Sequence, residues 1–166
     1  MKDVLLLADT HLGAGAASRL TDRIGAELAV ADVVLHAGDI TDRAVLDALA
    51  DHAPVHAVKG NNDRGLDLPE RAVVTVDGCR FALVHDSGPA TRRTERLRQW
   101  FPDAGVVVFG HSHLPGHETD VGPDGHVLHH VNPGSAMLRR RAPTCTVAHV
   151  VVDRGQVAAV RHVDVG

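Results

Sequence analysis

The sequence has no tyrosine and little aromatic surface of any kind: Phe81, Trp100, Phe101 and Phe109 are the whole set, 2% of 166 residues. A protein that stacks successive nucleobases needs more than that. Positive charge is also not in excess. Seventeen Lys and Arg stand against 21 Asp and Glu, for a formal net charge of -4 and a pI of about 6.3. A generic grip on a polyphosphate backbone is therefore not expected, and nucleic acid is not the expected partner. Cysteine is scarce. Cys79 and Cys145 lie far apart and outside any Cys-x-x-Cys, which excludes a disulfide framework and points to a cytoplasmic setting. Long apolar runs are missing too: Val4-Leu5-Leu6-Leu7-Ala8 is halted by Asp9, too short for a signal-peptide core or a membrane span. What remains is 44% hydrophobic and 23% charged, the composition and length of one globular domain over residues 1–166. Against that background the 13 histidines stand out.

Apolar runs and helix-period segments alternate through the first half. Val4–Ala8 reads as a buried strand, and Leu20, Ile24 and Leu28 then recur on one helix face. Val33–Leu35 is a second strand, Thr41 is placed to cap a helix that turns Val45, Leu46 and Leu49 inward, and Val55–Val58 is a third strand. This order predicts a parallel sheet with right-handed crossovers. In the second half Ala72–Val76 and Phe81–Val84 flank Asp77-Gly78, a hairpin signal. Thr91–Phe101 reads as a helix, and Gly105–Phe109, Val127–Val131, Thr146–Val152 and Gln156–Val163 as strands. The expectation is an α/β chain whose second half is antiparallel, as a second sheet.

Five times an apolar run ends in a short loop that opens with metal-ligand residue types: Asp9-Thr10-His11, His36-Ala37-Gly38-Asp39, Gly60-Asn61-Asn62-Asp63, His85-Asp86-Ser87-Gly88 and Gly110-His111-Ser112-His113. Ligands of α/β proteins bind at the carboxyl ends of strands, so these loops can converge on one crevice. In an extended segment residues i and i+2 share a side, which would let Asp9 join His11, and His111 join His113. Carboxylate, amide oxygen and imidazole suit first-row divalent ions better than thiolate-seeking metals. Each loop alone is ordinary turn chemistry; the ordered set of five is not.

That order, D-x-H, G-D, G-N-x-D, H and G-H-x-H, followed by Asn132-Pro133-Gly134-Ser135, resembles the calcineurin-like metallophosphoesterase superfamily, and most of all its small single-domain YfcE-type phosphodiesterase branch. The resemblance implies a four-layer α/β/β/α sandwich with two mixed β-sheets. It implies two divalent ions, manganese first, with iron, zinc, nickel, cobalt or magnesium as alternatives. One ion would take Asp9, His11 and His113, the other Asn61, His85 and His111, with Asp39 bridging. The implied activity is hydrolysis of a small phosphate ester, most of all a phosphodiester, by in-line attack of a bridging hydroxide. Asp39, Asn62 and Asp63 are then the candidate catalytic residues, Asp63 by orienting a ligand such as an imidazole N–H.

Two positions depart from the pattern. Many superfamily members carry histidine after the asparagine ligand, where this chain has Asn62, which can donate hydrogen bonds but delivers no proton at neutral pH. His85 is followed by Asp86 rather than by the Gly-His frequent in relatives, a charge that would repel very acidic substrates. Arg139, Arg140 and Arg141 follow the Asn132–Ser135 run and are candidates for a phosphate clamp, since guanidinium forks match phosphate oxygens. Arg92, Arg93, Arg96 and Arg98 read as a solvated helix face. Outside the motifs, His36 and His117 are the histidines placed to support the centre. Two other classes compete with a phosphoesterase. A nuclease is disfavoured by charge and aromatic content. A non-catalytic interaction scaffold, as in the retromer subunit that resembles this fold but has degraded metal chemistry, is disfavoured because all seven expected ligands are present.

Overall fold

A computed structural model describes residues 1–166. The chain runs β1 (Lys2–Leu7), α1 (Ala17–Arg23), α2 (Gly25–Leu28), β2 (Val33–His36), α3 (Arg43–Ala50), β3 (Val55–Ala57), β4 (Arg71–Val76), β5 (Cys79–Val84), α4 (Arg93–Trp100), β6 (Val106–Val108), β7 (Gly116–Val121), β8 (Val127–Asn132), β9 (Thr146–Asp153) and β10 (Gln156–Asp164). Two five-stranded sheets result, ordered β10-β9-β1-β2-β3 and β4-β5-β6-β8-β7.

The period-2 pattern of the strands sorts the core into three layers. Val4 and Leu6 of β1 face the second sheet, where they meet Phe81, Leu83, Val106, Val108 and Val131 in the central cluster. Leu5 and Leu7 face the other way, onto Leu20, Ile24, Leu28, Val45 and Leu49 of α1–α3. On the far side, Ala82, Val84 and Val107 pack against Leu97 and Phe101 at α4. Helices, sheet, sheet, helix is the expected four-layer order. Both sheets are mixed: β1 pairs parallel with β2 and antiparallel with β9, while β5, β6 and β8 run parallel between antiparallel edges.

The expected antiparallel second half is corrected in two ways. Its centre is parallel, and β9 and β10 cross back to extend the first sheet. Helix α3 is capped by Asp42, whose carboxylate accepts from Ala44 N at 2.9 Å, and not by Thr41, which sits at φ 78° and donates its hydroxyl to Leu12 O. The helical stripe over Leu20–Leu28 breaks at Ile24, ahead of Gly25. β7 was absent from the expectation because Gly-His-Glu-Thr-Asp-Val is an edge strand whose side chains are almost all exposed, so it carries no apolar alternation. The arginines of α4 are not a free face: Arg96 donates to Ser87 O and Thr91 O, and Arg98 holds Asp120 and His126 O. No helix is long and apolar enough to cross a membrane.

Several of the 13 histidines are structural. Buried His149 lies between the carboxylates of Asp3 and Glu27, His162 donates to Asn132 O, and His126 to Ala104 O.

Candidate metal centre

The centre forms where β1, β2, β3, β5 and β6 end. Each parallel strand delivers its loop at the carboxyl edge, and the loops then tie to one another through backbone bonds. Asp9 N donates to Gly38 O, His11 N to Asp39 O, and Gly110 N to His85 O, at 2.9, 3.0 and 2.9 Å. The Asn132–Ser135 run braces the same loops from behind. Asn132 Nδ2 donates to Gly110 O and Ser112 Oγ, and Ser135 Oγ donates to Asp9 O.

All seven sequence-predicted ligands come together, but not by extended alternation. Asp9, His11, Asp39, His111 and His113 all have positive φ, between 47° and 71°. Asp and His enter that left-handed region several-fold more readily than most residues, yet five in one place is strain that tertiary bonds must hold. His111 and His113 consequently part company. Asp9, His11 and His113 place one donor atom each within 4.8 Å of one another, whereas His111 Nδ1 lies 3.1 Å from Asn61 Oδ1, which is itself 3.0 Å from His85 Nε2. Between the two groups stands Asp39. Its Oδ2 is 3.4 Å from His11 Nε2 and 3.5 Å from His85 Nε2.

The donor set fits divalent ions on three observations. Asp9 Oδ2, His11 Nε2 and His113 Nε2 are buried with no hydrogen-bond partner, a costly arrangement for protein atoms alone. His85 Nδ1 donates to Ala37 O at 2.8 Å, and His113 Nδ1 to Leu138 O, which fixes each tautomer with its Nε2 lone pair turned to the centre. Gly60 then permits the close approach: a Cβ there would stand 2.2 Å from Asp39 N and Oδ1.

Asp63 does not orient an imidazole. Its buried carboxylate accepts from the backbone N–H groups of Asp39, Ile40, Thr41 and Gly60, at 2.9, 2.8, 2.7 and 2.7 Å, so it is a positioning residue for the Asp39 loop. Asn62 donates twice to Asp39, its backbone N to Oδ1 at 2.8 Å and Nδ2 to Oδ2 at 2.7 Å. Of the arginine run, Arg139 folds back on Ala142 O and Arg141 makes no hydrogen bond or ion pair; Arg140 is the one whose charge bears on Asp9, His11 and His113. His36 is sealed beneath the centre against Thr10 Oγ1, a contact that sequence reading missed. His117 lies away from it, paired with His129 at 3.0 Å.

Burial, with Asp39 close by, pushes the Asp9 carboxyl up to about 7, while burial takes His36 down to about 3. For Asp39 burial works upward but is outweighed by the Asn62 hydrogen bonds and by His85 and His11, so it stays below its ordinary range. The two large shifts have opposite signs in stability. The ion-free fold loses Asp9's contribution as pH rises from the ordinary 3.8 to about 7, and loses His36's as pH falls from 6.5 toward 3. A cation beside Asp9 relieves only the first. Adding manganese to chelated protein is therefore expected to raise the melting temperature more at about pH 7.5 than at about pH 5. Equal shifts at both values would contradict this.

Comparison with known proteins agrees with this geometry. The family model for the calcineurin-like phosphoesterase superfamily domain matches residues 1–155. The chain belongs to that superfamily, a family whose members use divalent metal ions. It is 34% identical over 113 residues to a probable metallophosphoesterase of Methanocaldococcus jannaschii, a match covering 66% of this chain and 58% of that protein's length. Its fold is that of a predicted phosphoesterase from Streptococcus pneumoniae, with a TM-score of 0.74 at 23% identity over 98% of this chain and 89% of the other. Vps29 of Chaetomium thermophilum shares it too, with a TM-score of 0.73 at 20% identity over 98% and 97%.

Proposed function

We propose that this protein, acting as one unit over residues 1–166, hydrolyses small phosphate esters, most of all phosphodiesters, at a centre of two divalent transition-metal ions, manganese the first choice. One observation carries the reading: a single carboxylate oxygen, Asp39 Oδ2, lies 3.4 and 3.5 Å from one imidazole of each ligand group. Asp9, His11 and His113 would hold one ion, Asn61, His85 and His111 the other, and Asp39 both. When bound, such a pair supplies Lewis acidity toward phosphoryl oxygens and a hydroxide nucleophile at neutral pH.

The chain's own part is preorganisation. Asp63 holds the Asp39 loop by four backbone bonds, and the His85 and His113 tautomers are set before substrate arrives, so little reorganisation remains at the moment of reaction. Asn62 donates to Asp39 and keeps its carboxylate charged. Arg140 is the cation placed to meet phosphate charge. The scaffold reading is disfavoured by this complete donor set, with three of its atoms buried and otherwise unsatisfied.

The test is hydrolysis of bis-p-nitrophenyl phosphate by manganese-loaded protein, abolished by chelation and restored by manganese. No turnover with any of manganese, iron, zinc, nickel, cobalt or magnesium would defeat the reading. Within it, Arg140→Ala is expected to raise KM about tenfold or more, the worth of a charge-assisted bond, while Arg139→Ala and Arg141→Ala stay within about twofold. Equal effects at all three would assign the run to a diffuse field.

A further inference from the structure

Four arginines crowd the start and length of α4, and three have an acceptor within the chain. Arg92 Nε donates to Glu95 Oε2 at 2.7 Å, Arg96 Nε to Ser87 O at 2.8 Å and Arg98 Nε to Asp120 Oδ2 at 2.8 Å. Arg93 is the exception. Its side chain makes no hydrogen bond or ion pair, and its Nε is buried and unpartnered. Its guanidinium lies over the Phe109 ring, 5.1 Å from the centroid, so the side chain is held in place by packing rather than by a counter-charge. A desolvated guanidinium donor with no acceptor is costly, and the cost is recovered only when an acceptor arrives.

The space beside Arg93 is a cavity of about 270 Å³ whose wall includes Ser112, His117, Glu118, His130 and Asn132. Ser112 stands between His111 and His113 in the sequence, and Phe109 and Asn132 come from the carboxyl ends of β6 and β8. The cavity is thus next door to the metal centre, on the α4 side of the loop that carries two of its ligands. Arg93 is the unpartnered donor in its wall; His117 Nε2 is paired with His129 and His130 Nε2 lies 3.2 Å from Thr94 Oγ1, so the imidazoles border the space with their Nε2 atoms already engaged. One group opposes an anion. Glu118, 69% exposed at its side chain, has its Oε2 3.8 Å from His130 Nε2 and does not reach Arg93.

We infer that this cavity is a second anion subsite, in which Arg93 binds a carboxylate or phosphate that the substrate carries beyond its scissile phosphate. The inference rests on the phosphoesterase reading for what is cleaved, and adds the class of substrate: a phosphoester with a second anionic group. Arg93 donates to that group through the planar fork of the guanidinium, a geometry that lysine does not reproduce. Glu118 sets an upper limit on the negative charge the mouth accepts.

The test compares two p-nitrophenyl phosphodiesters on the manganese-loaded full chain, one with a neutral alkyl group and one with the same alkyl group ending in a carboxylate; a phosphate-ended third distinguishes the two anions. The ratio of kcat/KM, anionic over neutral, is expected to fall roughly tenfold to a hundredfold in Arg93→Ala, and nearly as far in Arg93→Lys. It is expected to rise in Glu118→Gln. An independent arm uses chelated protein and inorganic phosphate: the Arg93 Nε–Hε NMR signal is expected to shift on titration. A ratio that is unchanged in both Arg93 variants, with a phosphate titration that leaves the Arg93 signal still, overturns the subsite. If no ester is turned over by the wild type, the activity reading has failed while the NMR arm still decides the subsite.

Discussion

Asp39→Ala is expected to leave the protein unable to retain either ion and to cut phosphodiester hydrolysis on the order of 10³-fold or more. The reason is position. Asp39 Oδ2 is within 3.5 Å of an imidazole from each ligand group, and a carboxylate so placed serves both ions or neither. Metal assistance is worth several kcal/mol, and each ~1.4 kcal/mol is a factor of ten in rate. His85→Ala, which removes a donor assigned to the Asn61 group, is expected to lose mainly one ion of two. Elemental analysis after manganese reconstitution and desalting reads this directly: about two ions per chain in the wild type, about one in His85→Ala and near none in Asp39→Ala. Asp39→Asn guards against misfolding, because it keeps the shape that accepts from Asn62 N while removing the charge. Full occupancy in Asp39→Ala, or a single ion in the wild type, would remove the bridging assignment.

The second large effect concerns the leaving group. No residue in the five loops is placed to give it a proton. Asn62 stands at the position where many superfamily members have histidine; it donates twice to Asp39 and, being an amide, has no proton to deliver at neutral pH. His36 is sealed beneath the centre and held neutral by burial, with a pKa of about 3, and His117 is paired with His129. On the proposed mechanism the leaving oxygen would depart with its charge, helped by cations and water alone. Rate is expected to fall steeply as leaving-group pKa rises, aryl esters being cleaved far faster than alkyl esters. General acid catalysis is worth about 10²–10⁴-fold, and Asn62→His is expected to recover part of that on alkyl esters with little change on aryl ones. A leaving-group series at constant pH and metal, with chemistry shown to be rate-limiting, measures the slope. A flat series in the wild type would mean that another group already protonates the leaving oxygen.

The elements and the ligand pool were legible in the sequence because both are local. Val4–Ala8 and Val106–Phe109 are apolar runs of strand length, and a strand end followed by Asp-x-His or Gly-His-Ser-His names its own chemistry wherever it sits. The choice of all seven candidate ligands followed from those loops together with the family they resemble. The resemblance also implied how they divide, and only the tertiary structure shows the backbone that sets His111 apart from His113. His111 and His113 are two residues apart, but with left-handed backbone at both positions His111 lies beside Asn61 and His113 beside Asp9 and His11, and Asn132, from a distant strand end, bonds Gly110 O and Ser112 Oγ of that loop.

The same distinction explains the rest. Whether β9 and β10 extend the first sheet or the second depends on which edge lies open after folding, and no periodicity within Thr146–Asp164 records it. Asp63 in Gly-Asn-Asn-Asp looks like any turn residue; four amide hydrogens from two loops make it the anchor of Asp39. Arg93 and Arg96 have the same composition-level meaning on α4. Carbonyl oxygens reached through the fold satisfy one, and nothing in the chain satisfies the other. Residue type and spacing determined what chemistry this protein holds, because those are properties of short segments. Which atoms share it, which brace it and which are left free was decided by contacts between segments far apart in sequence, whose partners exist only once the two sheets have closed on each other.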